Sequence, residues 1–403
     1  MTLGVGGTSR EAALASLSDM MAGAVPIAAD EYRARIARAQ ALMTAQGIAA
    51  MYLHAGTNLY YFTGLRWSPS ERLVGAILPA RGELEYLAPN FELGTLRDLC
   101  LLDAPIHGWH EHDSPYRLLL DRLADIGVAP GARLAICEST PFFVVDGLRA
   151  LGAALVNATS ITAPCRMRKS PNEIALIQRA HAMTLAVHRA AASTLHEGIT
   201  TTEVAAFIDA AHRRVGAPGS YFCIALFGAA TQFPHGVRHP QVLAPGDMVL
   251  IDTGCLVERY MSDITRSYVF GTPSDRQRAV WNSEQAAQAA AFEAARLGAT
   301  CASVDAAARR SLEAHGFGPE YALPGLPHRT GHGIGLDIHE WPYLVAGDQT
   351  ALDIGMCFSN EPMICVPGEF GIRHEDHFHL TERGPMWFTQ PARSIDDPFA
   401  LGA

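Results

Sequence analysis

Short apolar runs alternate with amphipathic stretches through the first part of the chain. The runs AAMYLH and LEYLA are rich in apolar residues and are bounded by turn residues, which is typical of buried strands. Between such runs, apolar residues recur at three- and four-residue spacing, which predicts helices. The pattern predicts strands at 49–54, 74–78, 84–88, 133–136 and 154–157, and helices at 30–47, 115–126 and 142–151. Strands that alternate with helices in this way indicate an α/β domain.

A change of composition at APCRMRKSP (163–171) separates this pattern from the remainder of the chain. Three basic residues precede a proline there, and a long helical pattern begins at Asn172. Downstream, the segment from Thr200 to Glu203 has the capping-box sequence that opens a helix. We predict a strand at 221–227, a hairpin at 247–270, helices at 275–297 and 303–315, and strands with glycine-rich turns after them. The predicted parts are an N-terminal tail (1–28), an α/β domain (29–163) and a second domain (164–403), which together give an α+β chain.

Composition and charge limit the classes of partner. The chain has 403 residues, a net charge of −10 and no basic stripe, which argues against a nucleic-acid partner. No stretch approaches the roughly 20 apolar residues of a membrane span. The apolar residues 21–29 lack the basic start of a signal peptide. The eight cysteines form no CxxC pair, which indicates reduced thiols and a cytoplasmic protein.

The hairpin sequence DMVLIDTGCLVERYMSDITR (247–266) carries two aspartates that a strand does not need. Asp252 ends an apolar run, and Asp263 follows eleven residues later beside Ile264. A bare carboxylate in an apolar wall is costly, and Asp is depleted in strands. The two aspartates are therefore either solvated loop residues or ligands of a cation.

Three later regions carry further candidate ligands for a cation bound by these aspartates. They are HRTGHGIG (328–335) with HEWP (339–342), SNEP (359–362), and GIRHED (371–376). Taken singly, each has an ordinary explanation. No helix pattern follows the glycine run, so a phosphate loop is disfavoured. If 371–377 is one strand, its alternation places Arg373, Glu375 and His377 on one face, as in a surface ladder of charges.

Taken together, these regions favour a metal centre. Four carboxylates that converge in one apolar domain would repel one another by several kcal/mol, even at an effective dielectric of about 20. Two divalent cations would cancel a charge of −4. Oxygen ligands with one imidazole suit Mn²⁺, Co²⁺ or Zn²⁺. The five candidate ligands are Asp252, Asp263, His332, Glu361 and Glu375.

The order D-x10-D, then H, E and E, resembles the pita-bread metallopeptidases, which include prolidases, aminopeptidase P, methionine aminopeptidases and the metal-free creatinases. The matching motifs are IDTG, YMSDITRS, HRTGHGIGLDIHEWP, SNEP and GIRHED, and RMRKSPNEIALI is similar to the family's interdomain junction. The resemblance covers nearly the whole chain. It implies a creatinase-type α/β N-terminal domain followed by a pseudo-twofold pita-bread catalytic domain.

The resemblance also implies a role for each of the five candidate ligands. Asp252 would bind one ion with both oxygens, whereas His332 and Glu361 would bind the other. Asp263 and Glu375 would bridge the two ions. Mn²⁺ is the expected metal, with Zn²⁺ or Co²⁺ as alternatives. A hydroxide that bridges the two ions would attack the scissile carbonyl.

Further residues match substrate-facing positions of the family. His339 and His235 would hold the substrate carbonyl and the developing oxyanion, although a plain turn is the alternative reading of His235. Glu361 would also move a proton towards the leaving nitrogen. His328 and Arg373 would face the substrate.

The function that the resemblance implies is hydrolysis of Xaa-Pro dipeptides by a cytoplasmic homodimer. Creatinase is disfavoured because this chain keeps all five ligands. The alternatives are an Xaa-Pro aminopeptidase, a hydrolase of a related small amide, and a non-catalytic binding module.

One departure from the family concerns the substrate carboxylate. Many prolidases carry an arginine just before the SNEP-like motif, but residues 341–360 contain no Lys or Arg. The candidate substitutes are Arg373, His374, His377, and Arg66 or Trp67 of a neighbouring subunit. The sequence does not explain His374, His377 and His379, beyond a possible histidine ladder on a strand.

Overall fold

The change of composition after residue 163 coincides with a division of the chain into two units. The computed structural model describes residues 2–402. One unit comprises residues 26–166, and the other comprises the residues before 26 and those from 167 onward. The predicted boundaries after 28 and 163 differ from this division by three residues each. Met1 and Ala403, which the predicted tail and second domain include, lie outside the described residues.

The residues before 26 are predicted as a separate tail, but they belong to the unit that continues at 167. They contain a short helix, α1 (Arg10–Ala15). Ala13 and Leu17 are buried, and Arg179 donates a hydrogen bond to the Met20 carbonyl at 2.5 Å. A helix of six residues has too little periodicity to be recognised in the sequence.

A six-stranded mixed sheet forms the centre of the unit at 26–166. Its elements are α2 (Ala29–Gln46), β1 (Ala50–His54), α3 (Thr57–Thr63), β2 (Gly75–Pro79), β3 (Glu85–Pro89), α4 (Leu93–Leu99), β4 (Ile106–Trp109), α5 (Pro115–Asp125), β5 (Arg133–Ile136), α6 (Phe142–Ala150), β6 (Ala154–Asn157) and α7 (Thr159–Arg166). The strand order is β4-β3-β2-β1-β5-β6. The pairs β1–β2 and β2–β3 are antiparallel, and the other three are parallel. The five strands and three helices that the sequence predicts here are all present, each to within one residue.

From residue 167 onward, the other unit continues with two helices and a strand, as predicted, and it ends in strands. Its elements after α1 are α8 (Pro171–Ser193), α9 (Thr201–Arg214), β7 (Phe222–Phe227), β8 (Met248–Gly254), β9 (Leu256–Val257), β10 (Tyr260–Met261), β11 (Ile264–Val269), α10 (Asp275–Ala294), α11 (Cys301–Ala314), β12 (Gly331–Gly333), β13 (Glu340–Leu344), β14 (Cys357–Asn360), β15 (Met363–Val366), β16 (Phe370–Arg373), β17 (Asp376–Thr381) and β18 (Gly384–Trp387). The predicted capping box is present at α9, where Thr200 and Glu203 exchange hydrogen bonds.

Two antiparallel sheets of this unit position the acidic residues. The first has the order β11-β8-β7, and the second has the order β13-β12-β14-β17-β18. In the first sheet Thr265 pairs with Asp252, and Thr265 also forms an isolated bridge with Glu375. That bridge brings the first sheet next to the start of β17. The predicted α+β class is confirmed.

The segment 371–377 is not the single strand that the alternation argument assumes. β16 ends at Arg373 and β17 begins at Asp376, so Glu375 lies in the break between two strands. His374 consequently points towards α10, where its ring packs against Trp281 at 4.3 Å between centroids. A break of this kind depends on pairing with distant strands, which local alternation does not reveal.

No helix in the described part of the chain is long and apolar enough to cross a membrane.

Candidate metal centre

Asp252 occupies an entirely buried strand. All seven residues of β8 are buried. Oδ2 of Asp252 accepts a hydrogen bond from the guanidinium of Arg373 at 2.5 Å. Its second oxygen, Oδ1, is buried without a hydrogen-bond partner among the described residues. Burial raises the pKa of this carboxyl, and Arg373 opposes the rise. One oxygen of Asp252 is therefore satisfied by the protein and the other is not.

Asp263 and Glu375 lie next to each other because Thr265, two residues after Asp263, forms a β-bridge with Glu375. The Thr265 hydroxyl donates a hydrogen bond to Glu375 Oε2 at 2.7 Å. Asp263 Oδ1 and Glu375 Oε1 are buried and lack a hydrogen-bond partner within residues 2–402. Burial raises the pKa of each carboxyl well above its ordinary value, and the neighbouring carboxylates raise it further. The protein alone thus does not neutralise these two acids.

His332 presents one ring nitrogen to three carboxylates. Its Nδ1 lies 3.0 Å from the Gly333 carbonyl, so Nδ1 carries the proton and Nε2 offers a lone pair. Nε2 lies 3.1 Å from Glu361 Oε1, 3.8 Å from Asp263 Oδ2 and 3.9 Å from Glu375 Oε1. A neutral imidazole nitrogen that converges with carboxylate oxygens is the donor set of a divalent metal site.

Glu361 is positioned by the strand that pairs with the His332 strand. Ser359 of β14 donates a hydrogen bond to Glu361 Oε1 at 3.1 Å and accepts one from the backbone N–H of His332 at 2.8 Å. Burial acts to raise the pKa of Glu361, and a His332 ring protonated on both nitrogens outweighs it and lowers that pKa. Metal binding instead requires Nε2 of His332 to be free of a proton.

His377 belongs to the same cluster, although the sequence argument does not include it among the ligands. One ligand atom from each of Asp263, His332, Glu375 and His377 lies within 4.8 Å of the other three. His377 is fully buried, and both of its ring nitrogens lack a hydrogen-bond partner in the described part of the chain. The signal in the sequence is the cluster of histidines after GIRHED. His377 supports a metal centre because an unpartnered buried imidazole is costly.

The residues present fit a divalent metal. Three buried carboxylate oxygens at this place, one each from Asp252, Asp263 and Glu375, have no hydrogen-bond partner among the described residues. Asp263 and Glu375 also lie close to the same imidazole nitrogen of His332. Arg373 forms a direct ion pair with one of these acids, Asp252. The structure places Asp263, Glu361 and Glu375 around His332, and Asp252 lies on the neighbouring strand, paired with Thr265. The roles of the five predicted ligands in metal binding stay a prediction.

A cavity of about 440 Å³ opens beside the cluster. Its wall contains Glu361 and Arg373 together with the three histidines predicted to face the substrate. His235, on an exposed turn, His328 and His339 all contribute to it. The ring of His339 lies 4.3 Å from that of His332, edge to face. The full lining is Phe233, Pro234, His235, Gly236, Pro327, His328, Arg329, His339, Glu361 and Arg373.

The environment of the cavity keeps two of these histidines neutral. Burial lowers the pKa of His339 to about 4, with a further contribution from His332. Burial also lowers the pKa of His328, whose Nδ1 lies 2.7 Å from the Arg329 carbonyl. A neutral histidine can donate one hydrogen bond to a substrate oxygen without adding a charge to the site. Arg329 also lines the cavity, and its place in the motif HRTGHGIG does not by itself indicate a role.

Two family models match this chain. The model for metallopeptidase family M24 matches residues 175–382. The model for the Creatinase/Prolidase N-terminal domain matches residues 35–168. These matches confirm the predicted creatinase-type N-terminal domain and the pita-bread catalytic domain.

Several proteins are similar to this chain over most of its length. The crystal structure of dipeptidase PepE from Mycobacterium ulcerans is 36% identical, with a TM-score of 0.83, and covers 91% of this chain and 97% of its own. A protein of Pyrococcus horikoshii named Xaa-Pro dipeptidase is 30% identical, over 88% of this chain and 96% of its own. The crystal structure of a prolidase from Thermococcus sibiricus is 29% identical, with a TM-score of 0.81, and covers 89% of this chain and 97% of its own.

Proposed function

This chain is a member of metallopeptidase family M24, and from that membership we propose that it hydrolyses Xaa-Pro dipeptides with two bound divalent ions. The observation that carries the proposal is the group of buried carboxylate oxygens without hydrogen-bond partners beside the cavity. Relatives named Xaa-Pro dipeptidase support the choice of substrate. The complete set of five predicted ligands supports a catalytic centre.

The residues that would hold the ions are the five predicted ligands: Asp252, Asp263, His332, Glu361 and Glu375. Divalent ions supply a nucleophilic hydroxide at neutral pH and polarise a substrate carbonyl when they are bound. Mn²⁺ is the proposed metal because carboxylate oxygens dominate the donor set, with Zn²⁺ or Co²⁺ as alternatives.

The remaining cavity residues have roles that follow from their chemistry. His339, neutral and next to His332, would donate a hydrogen bond to the oxygen of the scissile carbonyl as negative charge develops there. His235, which also lines the cavity, would do the same. Glu361, which lines the cavity, would accept a proton and pass it to the leaving nitrogen.

The test is release of proline from an Xaa-Pro dipeptide by purified protein loaded with Mn²⁺, Zn²⁺ or Co²⁺. We expect hydrolysis with at least one of the three metals and none after chelation. Absence of hydrolysis with every metal would contradict the proposal.

The second candidate is an Xaa-Pro aminopeptidase, which removes the first residue of a longer peptide. It is favoured by the absence of Lys and Arg from residues 341–360, where many prolidases bind the substrate carboxylate. Comparing an Xaa-Pro dipeptide with the Xaa-Pro-Xaa tripeptide distinguishes the two. Preference for the tripeptide would favour the aminopeptidase.

We also propose that the enzyme is a cytoplasmic homodimer. All eight cysteines are free thiols, in agreement with a reducing compartment. The dimer is proposed from the resemblance to prolidases, and mass measurement by light scattering after size exclusion tests it.

A further inference from the structure

Arg329 is a cation on the cavity wall that the protein does not neutralise. Its guanidinium carbon lies 4.4 Å from the ring centroid of Tyr343, within the range of a cation–π interaction. Throughout residues 2–402, no carboxylate lies within ion-pair distance of this guanidinium. The ring therefore restrains the side chain, and its N–H groups stay available for a ligand.

The other cations considered for a substrate carboxylate are already occupied. Arg373 is buried, and it donates hydrogen bonds to Asp252 at 2.5 Å and to the Thr265 hydroxyl at 3.0 Å. His374 packs against Trp281 of α10. His377 lies among the predicted metal ligands. Of the cationic candidates in this unit, Arg329 is the one whose charge is not already used.

The pairing of β12 with β13 places Arg329 on the correct side of the sheet. His332 pairs directly with Tyr343 in the antiparallel register. Side chains of directly paired residues lie on the same face of a sheet. Because Tyr343 holds Arg329 and His332 faces the acidic cluster, the guanidinium and the cluster are on one face.

We propose that Arg329 binds the C-terminal carboxylate of the substrate and so selects dipeptides. The inference rests on the proposed function. In a dipeptide the carboxylate lies one residue, about 3.8 Å of Cα spacing, beyond the scissile bond. A guanidinium binds a carboxylate through two parallel N–H groups, which a lysine cannot reproduce. Arg329 thereby replaces the arginine that is absent from residues 341–360.

The experiment compares Leu-Pro with its C-terminal amide, in the wild type and in Arg329→Met. Hydrogen bonds to charged groups are among the stronger ones, so we expect kcat/KM for Leu-Pro to fall about 10- to 100-fold in the variant, through KM. In the wild type, kcat/KM for the amide should be lower than kcat/KM for Leu-Pro by the same factor. For the amide, kcat/KM of Arg329→Met should equal that of the wild type, because the amide has no carboxylate for Arg329 to bind.

Two further variants separate carboxylate binding from damage to the fold. Arg310→Met removes an exposed arginine of α11 and should leave all rates unchanged. Arg329→Lys keeps the charge but not the paired donors, and should recover only part of the loss. An equal loss on Leu-Pro and on the amide in Arg329→Met would overturn the inference, as would no loss on either.

A binding measurement keeps this inference separate from the proposed function. Calorimetry of Leu-Pro with metal-free protein requires no turnover. If the wild type hydrolyses no Xaa-Pro dipeptide, the proposed function fails, and weaker Leu-Pro binding by Arg329→Met would still support the carboxylate site. If turnover is normal but amidation and Arg329→Met leave affinity unchanged, the carboxylate site fails and the proposed function stands.

Discussion

Replacing Arg373 with methionine should destabilise the metal-free protein far more than the metal-loaded protein. Arg373 is the guanidinium that neutralises Asp252, at 2.5 Å, and both side chains are buried. Burial acts to lower the pKa of the guanidinium, but the surrounding carboxylates, with Asp252 foremost, outweigh it and raise the pKa. Methionine has a similar shape and no charge, so Arg373→Met leaves Asp252 buried and unpaired.

The magnitude follows from the burial of the pair. Removing one partner of a buried ion pair costs about 3–5 kcal/mol. For a domain of this size, each kcal/mol lowers Tm by about 2–4 °C. We therefore expect the Tm of the metal-free variant to fall by about 6–20 °C. A bound dication would neutralise Asp252 in place of the arginine, so the loss should be smaller when metal is present.

The assay is thermal unfolding of wild type and variant, with chelator and with saturating Mn²⁺. The rise in Tm on adding Mn²⁺ should be larger in Arg373→Met than in the wild type. The control is Arg276→Met, which breaks an exposed pair with Glu369 that contributes about 1 kcal/mol at most. An equal drop in Tm with and without metal would refute the reasoning, because it would show that no cation compensates Asp252.

Other predictions concern the buried network around the centre. Burial lowers the pKa of His212 to about 4 from 6.5, so the folded state keeps it neutral, and on the order of 3 kcal/mol of stability is lost as pH falls from about 6.5 to about 4. His212→Gln should flatten that part of the stability–pH curve measured by urea unfolding. His377→Leu should weaken Mn²⁺ binding about 10- to 100-fold in calorimetry, and an unchanged affinity would exclude His377 from the site. Arg266→Met should cost about 3–5 kcal/mol by breaking the buried 2.6 Å pair with Asp376, whereas a loss below 1 kcal/mol would contradict it.

Local patterns predict the hairpin and its aspartates well. The apolar run before Asp252 and the glycine after it are enough to indicate a strand and a turn, and β8 and β11 form as expected. A costly carboxylate in an apolar strand is a chemical signal that needs no tertiary information. The same reasoning identifies Asp263, because the turn brings the start of β11 back beside the end of β8, which carries Asp252.

Residues whose place in the site local sequence does not reveal depend on long-range pairing. His377 reaches the cluster because β16 and β17 are separate strands, and the break is set by bridges to distant segments. Arg329 is held by Tyr343, fourteen positions away, through the β12–β13 register. An arginine outside 341–360 can line the same cavity, because a guanidinium can reach one cavity from more than one strand.

The metal content of the protein tests the central claim most directly. Protein stripped with chelator, reloaded with Mn²⁺ and freed of unbound ions should contain about two ions per chain by mass spectrometry of the metal. The double variant Asp263→Asn, Glu375→Gln removes both predicted bridging carboxylates and should retain less than one. Asp353→Asn, an exposed control acid paired with Arg168, should retain two. A wild type that binds no Mn²⁺, Zn²⁺ or Co²⁺, or a double variant that still binds two ions, would contradict the claim that cations compensate the buried acids.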